Sequence, residues 1–84
     1  MKTIQIYTTN WCGYCTRAKA LLEAKGLPYE EINLDDDPGF RRRLSELTGS
    51  WTVPQILFDG EPIGGYTELA GLVRSGTLEE RLAA

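Results

Sequence analysis

The chain has 84 residues and a formal net charge of −3, with 42% hydrophobic residues, 25% charged residues and no histidine. This composition is typical of one small soluble domain, and the lack of excess positive charge argues against a nucleic-acid-binding protein. No segment approaches the roughly 20 apolar residues that a membrane-spanning helix requires, so we expect no membrane insertion. No signal-peptide core follows Met1, and we therefore expect a reducing, cytoplasmic compartment.

The predicted elements begin with a strand over residues 3–8, "TIQIYT", which is rich in β-branched and aromatic side chains. Apolar residues then recur at helical spacing from Tyr14 to Lys25. A second alternating segment over residues 29–34 predicts another strand. A strand, a helix and a strand joined by short links imply a right-handed parallel crossover.

A second helix is predicted after this crossover. Asp37 and Pro38 are typical of a helix N-terminus, and Gly49 is typical of a helix end. The predicted apolar stripe of this helix consists of Phe40, Leu44 and Leu47.

A hairpin is predicted next, because strand-like segments over residues 53–58 and 61–65 flank Asp59-Gly60, a common two-residue turn sequence. Helical spacing returns at Leu69, and a capping-box sequence beginning at Thr77 opens one last short helix.

The predicted element order is therefore β-α-β-α-β-β-α, followed by the short helix. This order predicts an α/β fold with a central mixed four-stranded sheet flanked by helices. We expect a single domain over residues 1–84, since no linker or repeat interrupts the pattern.

Cys12 and Cys15 are the only cysteines in the sequence, and three uses of such a pair can be compared. A structural disulfide over so short a loop contributes only about 2 kcal/mol in the chain-entropy model and does not persist in a reducing compartment. A closed zinc site takes four ligands, usually cysteine and histidine, so one subunit falls short. Their placement favours the third use, a redox pair.

Cys12 is predicted to lie at or just before the N-terminus of the first helix, where free N–H groups and the helix dipole favour a thiolate. Cys15 lies one turn further, on the stripe of Ala18 and Leu22, and should point towards the core. Cysteines placed as Cys12 is have pKa values lowered from about 8.5 to between about 3.5 and about 7.5. A thiol of low pKa leaves readily, so we expect Cys12 both to accept and to release a thiol adduct.

From about Thr3 to Leu82, the chain resembles the glutaredoxins of the thioredoxin-like superfamily in three separated motifs. "CGYC" resembles the dithiol motif, "TVP" resembles the cis-proline loop, and "GGYTEL" resembles the glycine-rich start of a helix. The resemblance implies a thioredoxin-like fold and a glutaredoxin activity.

The cis-proline loop consists of Thr52, Val53 and Pro54. A cis bond before Pro54 would turn the Val53 backbone towards Cys12, leaving it free to pair with a peptide-like ligand. An edge strand that tolerates proline is the alternative interpretation of the same residues.

The resemblance also implies a binding site for glutathione, formed by Tyr14, Arg41, Thr52, Val53, Pro54, Gly65, Tyr66, Thr67 and Glu68. The helix that starts at Tyr66 exposes N–H donors suited to a carboxylate. By resemblance, Thr67 and Glu68 meet the γ-glutamyl end of glutathione, and Arg41 meets its glycyl carboxylate. Tyr14 matches an aromatic residue beside the thiol, with surface packing on the first helix as its alternative role.

The implied function is that of a glutathione-dependent thiol–disulfide oxidoreductase, which reduces protein–glutathione mixed disulfides and protein disulfides. Cys12 is then the nucleophile and Cys15 the resolving cysteine. Its partners are glutathione and glutathionylated or disulfide-bonded proteins, and we expect a monomer.

Two alternatives stay open. Gly13 stands where many relatives have proline, and some glutaredoxins without that proline share a 2Fe–2S cluster across a dimer. Cys12 of each subunit and two glutathiones would supply the four thiolates of such a cluster, whereas the monomer holds no metal. Thr9 stands where many relatives have lysine. The sequence CGYC preceded by Trp11 also resembles that of mycoredoxins, relatives that use a different small thiol. The small redoxins that serve ribonucleotide reductase are a further possibility, since they too would use a reductant other than glutathione.

Overall fold

The computed structural model describes residues 1–49 and 52–83, apart from the side chains of Pro38 and Arg41. The elements in chain order are β1 (Ile4–Thr8), α1 (Gly13–Ala24), β2 (Glu30–Asn33), a 3₁₀ turn (Leu34–Asp36), α2 (Pro38–Thr48), β3 (Gln55–Phe58), β4 (Glu61–Gly64), α3 (Tyr66–Ser75) and α4 (Leu78–Ala83). Within the described ranges, none of the helices is long and apolar enough to cross a bilayer.

The strands form one four-stranded sheet in the order β2-β1-β3-β4. β1 runs parallel to β2, whereas β3 runs antiparallel to both β1 and β4. At the centre of the sheet, Tyr7 of β1 pairs with Ile32 of β2 and Gln55 of β3. The predicted mixed sheet flanked by helices is therefore confirmed, and with it the thioredoxin-like fold.

The side chains of β1 divide the core into two layers, because successive residues of a strand point to opposite faces. Ile4 and Ile6 belong to the larger layer, whose other buried members are Ala18, Leu22, Ile56, Phe58, Leu69, Leu78 and Leu82. Tyr7 belongs to the opposite layer, whose other buried members are Leu34, Leu44 and Leu57. Helices α1, α3 and α4 thus cover one face of the sheet, and α2 covers the other.

Most of the predicted features of helix α2 are confirmed. Asp37 is the N-cap, since its side chain accepts a hydrogen bond from the Gly39 N–H at 3.2 Å. Leu44 is fully buried, and Phe40 is half-buried against the smaller core layer. Leu47, in the last turn of the helix, lies outside that layer and is 55% exposed, so the buried face of the helix is shorter than the predicted apolar stripe.

All four predicted strands are shorter in the structure by one or two residues, and two of these changes have a clear cause. The second strand ends at Asn33, because the Asn33 side chain accepts the Asp35 N–H at 2.9 Å and starts the 3₁₀ turn. The third strand begins at Gln55, because Pro54 has no N–H to offer to the ladder. This second change leaves Val53 and Pro54 in the loop that faces the redox pair.

Candidate active site

The redox pair lies where β1 leads into α1. Cys12 is the N-cap of α1, with extended backbone angles, and the Cys15 N–H points at its sulfur with an N···Sγ distance of 3.1 Å. The two cysteines are joined as a disulfide, with their Cα atoms 5.2 Å apart. Cys12 is half-buried, whereas Cys15 is only 1% exposed. The predicted asymmetry, one accessible and one shielded sulfur, is therefore present in the structure.

The proline loop reaches this pair from the other side of the site. The Val53–Pro54 peptide bond is cis, as the motif predicts, and the Val53 carbonyl oxygen lies 3.8 Å from Cys12 Sγ. The Gln55 side chain donates from Nε2 to the Thr52 carbonyl oxygen at 2.8 Å and to Thr52 Oγ1 at 3.1 Å. The side chain of a buried strand residue thus fixes the loop that faces Cys12.

The glycine pair at the start of α3 packs directly on this loop. A Cβ atom on Gly65, the N-cap of α3, would lie 3.0 Å from the Pro54 carbonyl oxygen. Gly64 has a φ of +116°, in a region that L side chains rarely adopt. The Gly65 N–H donates to Glu68 Oε1 at 3.4 Å, so the Glu68 carboxylate lies over the N-terminus of its own helix.

Between these elements lies a groove of about 340 Å³, called the proline-loop groove below. It is lined by Tyr14, Thr48, Thr52, Val53, Pro54, Gln55, Gly64, Gly65, Tyr66, Thr67 and Glu68. The structure therefore brings together every residue that the resemblance implied for glutathione, with the exception of Arg41. The side chain of Arg41 lies outside the part of the chain that the structure describes.

Sequence reasoning missed Thr48 and Gln55 as lining residues. Thr48 is at the last position of α2, and its hydroxyl donates to the Leu44 carbonyl oxygen at 2.9 Å. Gln55 follows Pro54 and is buried, and it could have been suspected as the one amide side chain next to the proline motif. For Thr48 no local pattern gives such a signal, because only the packing of α2 brings it to the groove.

Tyr14, one of the lining residues of the proline-loop groove, contacts a second aromatic residue of that groove. Its ring lies 5.9 Å from that of Tyr66, in a tilted arrangement, so it links the N-terminal turns of α1 and α3. The Arg17 guanidinium carbon lies 5.5 Å from the centre of the Tyr14 ring, within range of a cation–π contact. Tyr14 thus combines helix packing with a place beside the redox pair, and the two roles considered for it are compatible.

A second groove, of about 660 Å³, opens on the β2 side of Cys12 and is called the β2-side groove below. It is lined by Thr9, Asn10, Trp11, Cys12, Gly13, Cys15, Thr16, Lys19, Glu31 and Asn33. It shares no lining residue with the proline-loop groove. Cys12 itself lines the β2-side groove, and the proline-loop groove is next to it through Val53, whose carbonyl oxygen lies 3.8 Å from Cys12 Sγ.

Glu31 and Lys19 form an ion pair in this second groove. Lys19 Nζ lies 3.0 Å from Glu31 Oε2, and the buried Thr8 hydroxyl donates to the same oxygen at 2.8 Å. Partial burial raises the pKa of Glu31, but the hydrogen bonds from Thr8 and Lys19 and the charge of Lys19 outweigh it and lower the pKa overall. The folded protein therefore favours the ionised carboxylate.

We expect Glu31→Gln to destabilise the fold near neutral pH by no more than about 1 kcal/mol, because the pair is partly exposed to solvent. Since folding lowers the pKa of Glu31 from its usual value of 4.5, its stabilising effect is present above that value. The effect is lost as the pH falls through the lower pKa of the folded state. The difference between wild type and variant in urea-induced unfolding should therefore be larger at about pH 7 than at about pH 3.

The matched control for this measurement is Glu46→Gln, at an exposed position of α2. It should show a smaller change between the two pH values than Glu31→Gln does. An equal pH dependence for both variants would contradict a specific role of the ion pair.

Comparison with known proteins gives consistent results. Residues 4–63 match the family model described as Glutaredoxin. The chain is 45% identical to a glutaredoxin of Pseudomonas aeruginosa over 84 residues, which covers 100% of both chains. It is 40% identical to glutaredoxin 3 of Escherichia coli K12 over 82 residues, covering 98% of this chain and 99% of that protein.

Solved structures agree with the sequence relatives. The holo form of glutaredoxin C1 from Populus tremula x tremuloides superposes with a TM-score of 0.88 at 29% identity, covering 98% of this chain and 84% of the other. A buckwheat glutaredoxin–glutathione complex superposes with a TM-score of 0.89 at 30% identity, covering 98% of this chain and 77% of the other.

Proposed function

The chain belongs to the glutaredoxin family, and we propose on that basis that it is a glutathione-dependent enzyme that reduces protein–glutathione mixed disulfides and protein disulfides. The family and the Cys12–Cys15 pair make it a thiol–disulfide oxidoreductase. The observation that carries the proposal of glutathione is the proline-loop groove beside Cys12. The similarity to a buckwheat glutaredoxin–glutathione complex over 98% of this chain supports it.

The groove offers what a γ-glutamyl tripeptide needs. An extended peptide pairs with exposed backbone groups, and the Val53 backbone faces the site with its carbonyl oxygen 3.8 Å from Cys12 Sγ. A carboxylate is favoured at the N-terminus of a helix, and α3 begins at Tyr66 on the wall of the groove. The Glu68 carboxylate, at the same helix end, is suited to the amino group of the γ-glutamyl residue.

In the proposed reaction, the Cys12 thiolate attacks the glutathione sulfur of a mixed disulfide. The bond between glutathione and the protein thiol breaks, the protein thiolate leaves and takes a proton from solvent, and Cys12 keeps glutathione as a disulfide. A second glutathione thiolate then attacks that adduct, which releases glutathione disulfide and restores the Cys12 thiolate. The Cys15 N–H, with N···Sγ 3.1 Å, stabilises the negative sulfur before attack and after departure.

Cys15 is needed for protein disulfides. Cys12 attacks one sulfur of the substrate disulfide and releases the other as a thiolate. The Cys15 thiolate then attacks Cys12 Sγ, which frees the reduced substrate and leaves the Cys12–Cys15 disulfide that the structure contains. Two glutathiones return this disulfide to the dithiol and are themselves oxidised to glutathione disulfide.

We propose that the protein acts as a monomer in a reducing compartment such as the cytoplasm. The 2Fe–2S alternative gains no support. Within residues 1–49 and 52–83, no group of three or more histidine, cysteine, aspartate or glutamate side chains could hold a metal ion. Cys12 is the one accessible cysteine sulfur in the described part of the chain, so three of the four thiolates of such a cluster would have to come from a second subunit and two glutathiones.

Thr67→Asp tests the place of the γ-glutamyl carboxylate. Thr67 is exposed in the first turn of α3, and a carboxylate added there repels the carboxylate of glutathione. We expect the KM for glutathione to rise about tenfold at low salt, and the effect to shrink as salt is added. The fold should keep its stability, because an acidic residue in the first turn of a helix is favourable.

Thr67→Asn is the matched control, since it removes the hydroxyl group without adding charge. Its KM for glutathione should stay within about threefold of wild type. If Thr67→Asp binds glutathione as well as Thr67→Asn at low salt, the carboxylate does not lie at the start of α3.

A further inference from the structure

Trp11 is placed in a way that folding alone does not explain. It directly precedes Cys12 in the chain, and its side chain is fully exposed. Its backbone has a φ of +61°, which residues other than glycine rarely adopt. Burial of a tryptophan side chain is among the larger apolar contributions to the stability of a folded protein. Because Trp11 is fully exposed, its side chain does not stabilise the fold in this way.

The backbone around Trp11 is held in place by hydrogen bonds to the turn after β2. The Asn10 N–H donates to Asp35 Oδ2 at 2.6 Å, and Asn33 Nδ2 donates to Asn10 Oδ1 at 2.9 Å. The Asp35 N–H in turn donates to Asn33 Oδ1 at 2.9 Å. The residue before Trp11 is thus held through both its backbone N–H and its side chain, which fixes the backbone that leads into Trp11.

Trp11 lines the β2-side groove together with both cysteines, Cys12 and Cys15. A glutathionylated protein has two halves, and the proposed glutathione site uses only the proline-loop groove. The polypeptide half must therefore lie on another surface next to Cys12. The β2-side groove is such a surface, with about 660 Å³ against about 340 Å³ for the proline-loop groove.

The charges of the β2-side groove indicate what kind of segment fits it. The cation and the anion that line it, Lys19 and Glu31, are bound to each other with an N···O distance of 3.0 Å. The groove itself therefore offers no unpaired charge to a partner, whereas Trp11 offers a large apolar surface. An uncharged segment with an apolar side chain fits this combination better than a charged one.

We propose that Trp11 and the β2-side groove bind the polypeptide half of the substrate, and that Trp11 makes the protein prefer cysteines flanked by an apolar residue. This inference rests on the proposed function. It adds no chemical step, because the bonds that form and break are those of the exchange at Cys12. It adds only a binding site for the protein whose thiol leaves during the exchange.

The test uses two glutathionylated peptides that differ only in the residue after cysteine, which is leucine in one and serine in the other. The readout is the ratio of their kcat/KM values within each variant, so a change that affects both peptides equally cancels. Wild type should prefer the leucine peptide by about tenfold, as expected for burial of one leucine side chain. Trp11→Ala should bring the ratio close to one, and Trp11→Phe should keep most of the preference.

Leu47→Ala is the matched control, because Leu47 is another exposed large apolar residue but lies on α2 and lines neither groove. It should keep the wild-type ratio. A wild type that turns over both peptides at equal rates would overturn the inference while leaving the proposed function intact. A wild type that turns over neither peptide would overturn the proposed function itself. A ratio that is the same in Trp11→Ala as in wild type would show that the preference arises elsewhere.

Discussion

Cys12→Ser is expected to abolish thiol–disulfide exchange, with a loss of activity on the order of a thousandfold or more. A serine hydroxyl is not ionised at neutral pH and does not form the covalent adduct. Cys15 cannot take over, because it is only 1% exposed and lies one helical turn behind the N-cap position. The measurement is reduction of a glutathionylated peptide, with glutathione and glutathione reductase present in excess.

Cys15→Ser is the matched variant, since it makes the same chemical change at the shielded sulfur. It should keep reduction of mixed disulfides within about tenfold of wild type, because glutathione resolves the adduct on Cys12. With a protein disulfide as substrate it should instead accumulate a mixed disulfide at Cys12, visible by mass spectrometry. Substantial deglutathionylation by Cys12→Ser would overturn the assignment of the nucleophile.

Gly64→Ala is expected to destabilise the fold by about 2 kcal/mol and to weaken glutathione binding. Gly64 has a φ of +116°, which a residue with a Cβ atom adopts only with strain. The new Cβ would also lie 2.6 Å from Glu68 Cγ, so the Glu68 side chain has to leave its position over the Gly65 N–H. The checks are the free energy of unfolding in urea and the KM for glutathione.

Gly71→Ala is the control within the same region. Gly71 lies in the interior of α3, and a Cβ atom there would meet nothing within 4 Å. Alanine is favoured over glycine inside a helix, so this variant should be more stable than wild type by about 0.5–1 kcal/mol. If Gly64→Ala is as stable as wild type, the positive φ at Gly64 does not require glycine for the stability of the fold.

The order of helices and strands was predictable because apolar residues recur with a different spacing in each type of element. The alternation of Ile4 and Ile6 marks a strand with one face in the core, and Cys15, Ala18 and Leu22 mark the buried stripe of α1. These patterns depend only on which face of a helix or strand is buried, whichever elements of the chain cover that face. The element boundaries depended on hydrogen bonds between single residues, and the side chain of Asn33 ended β2 earlier than the pattern indicated.

The candidate site was predictable to the extent that it is built from local motifs. The place of Cys12 at a helix start follows from the position of the motif after a strand, and the resemblance supplied the cis bond before Pro54. The β2-side groove was not predictable, because it is formed by segments that are distant in the sequence. The hydrogen bonds of Asn10 with Asn33 and Asp35, which hold the backbone just before Trp11, gave no sequence signal for the same reason.

The dependence on glutathione is tested most directly by exchanging the source of electrons. Wild-type protein and a glutathionylated peptide are combined with NADPH and either glutathione with glutathione reductase, thioredoxin reductase alone, or a different small thiol with its own reductase. We expect NADPH oxidation to be at least about tenfold faster with glutathione than with either other system. Equal or faster turnover with thioredoxin reductase or with the other thiol would contradict a glutathione-dependent enzyme.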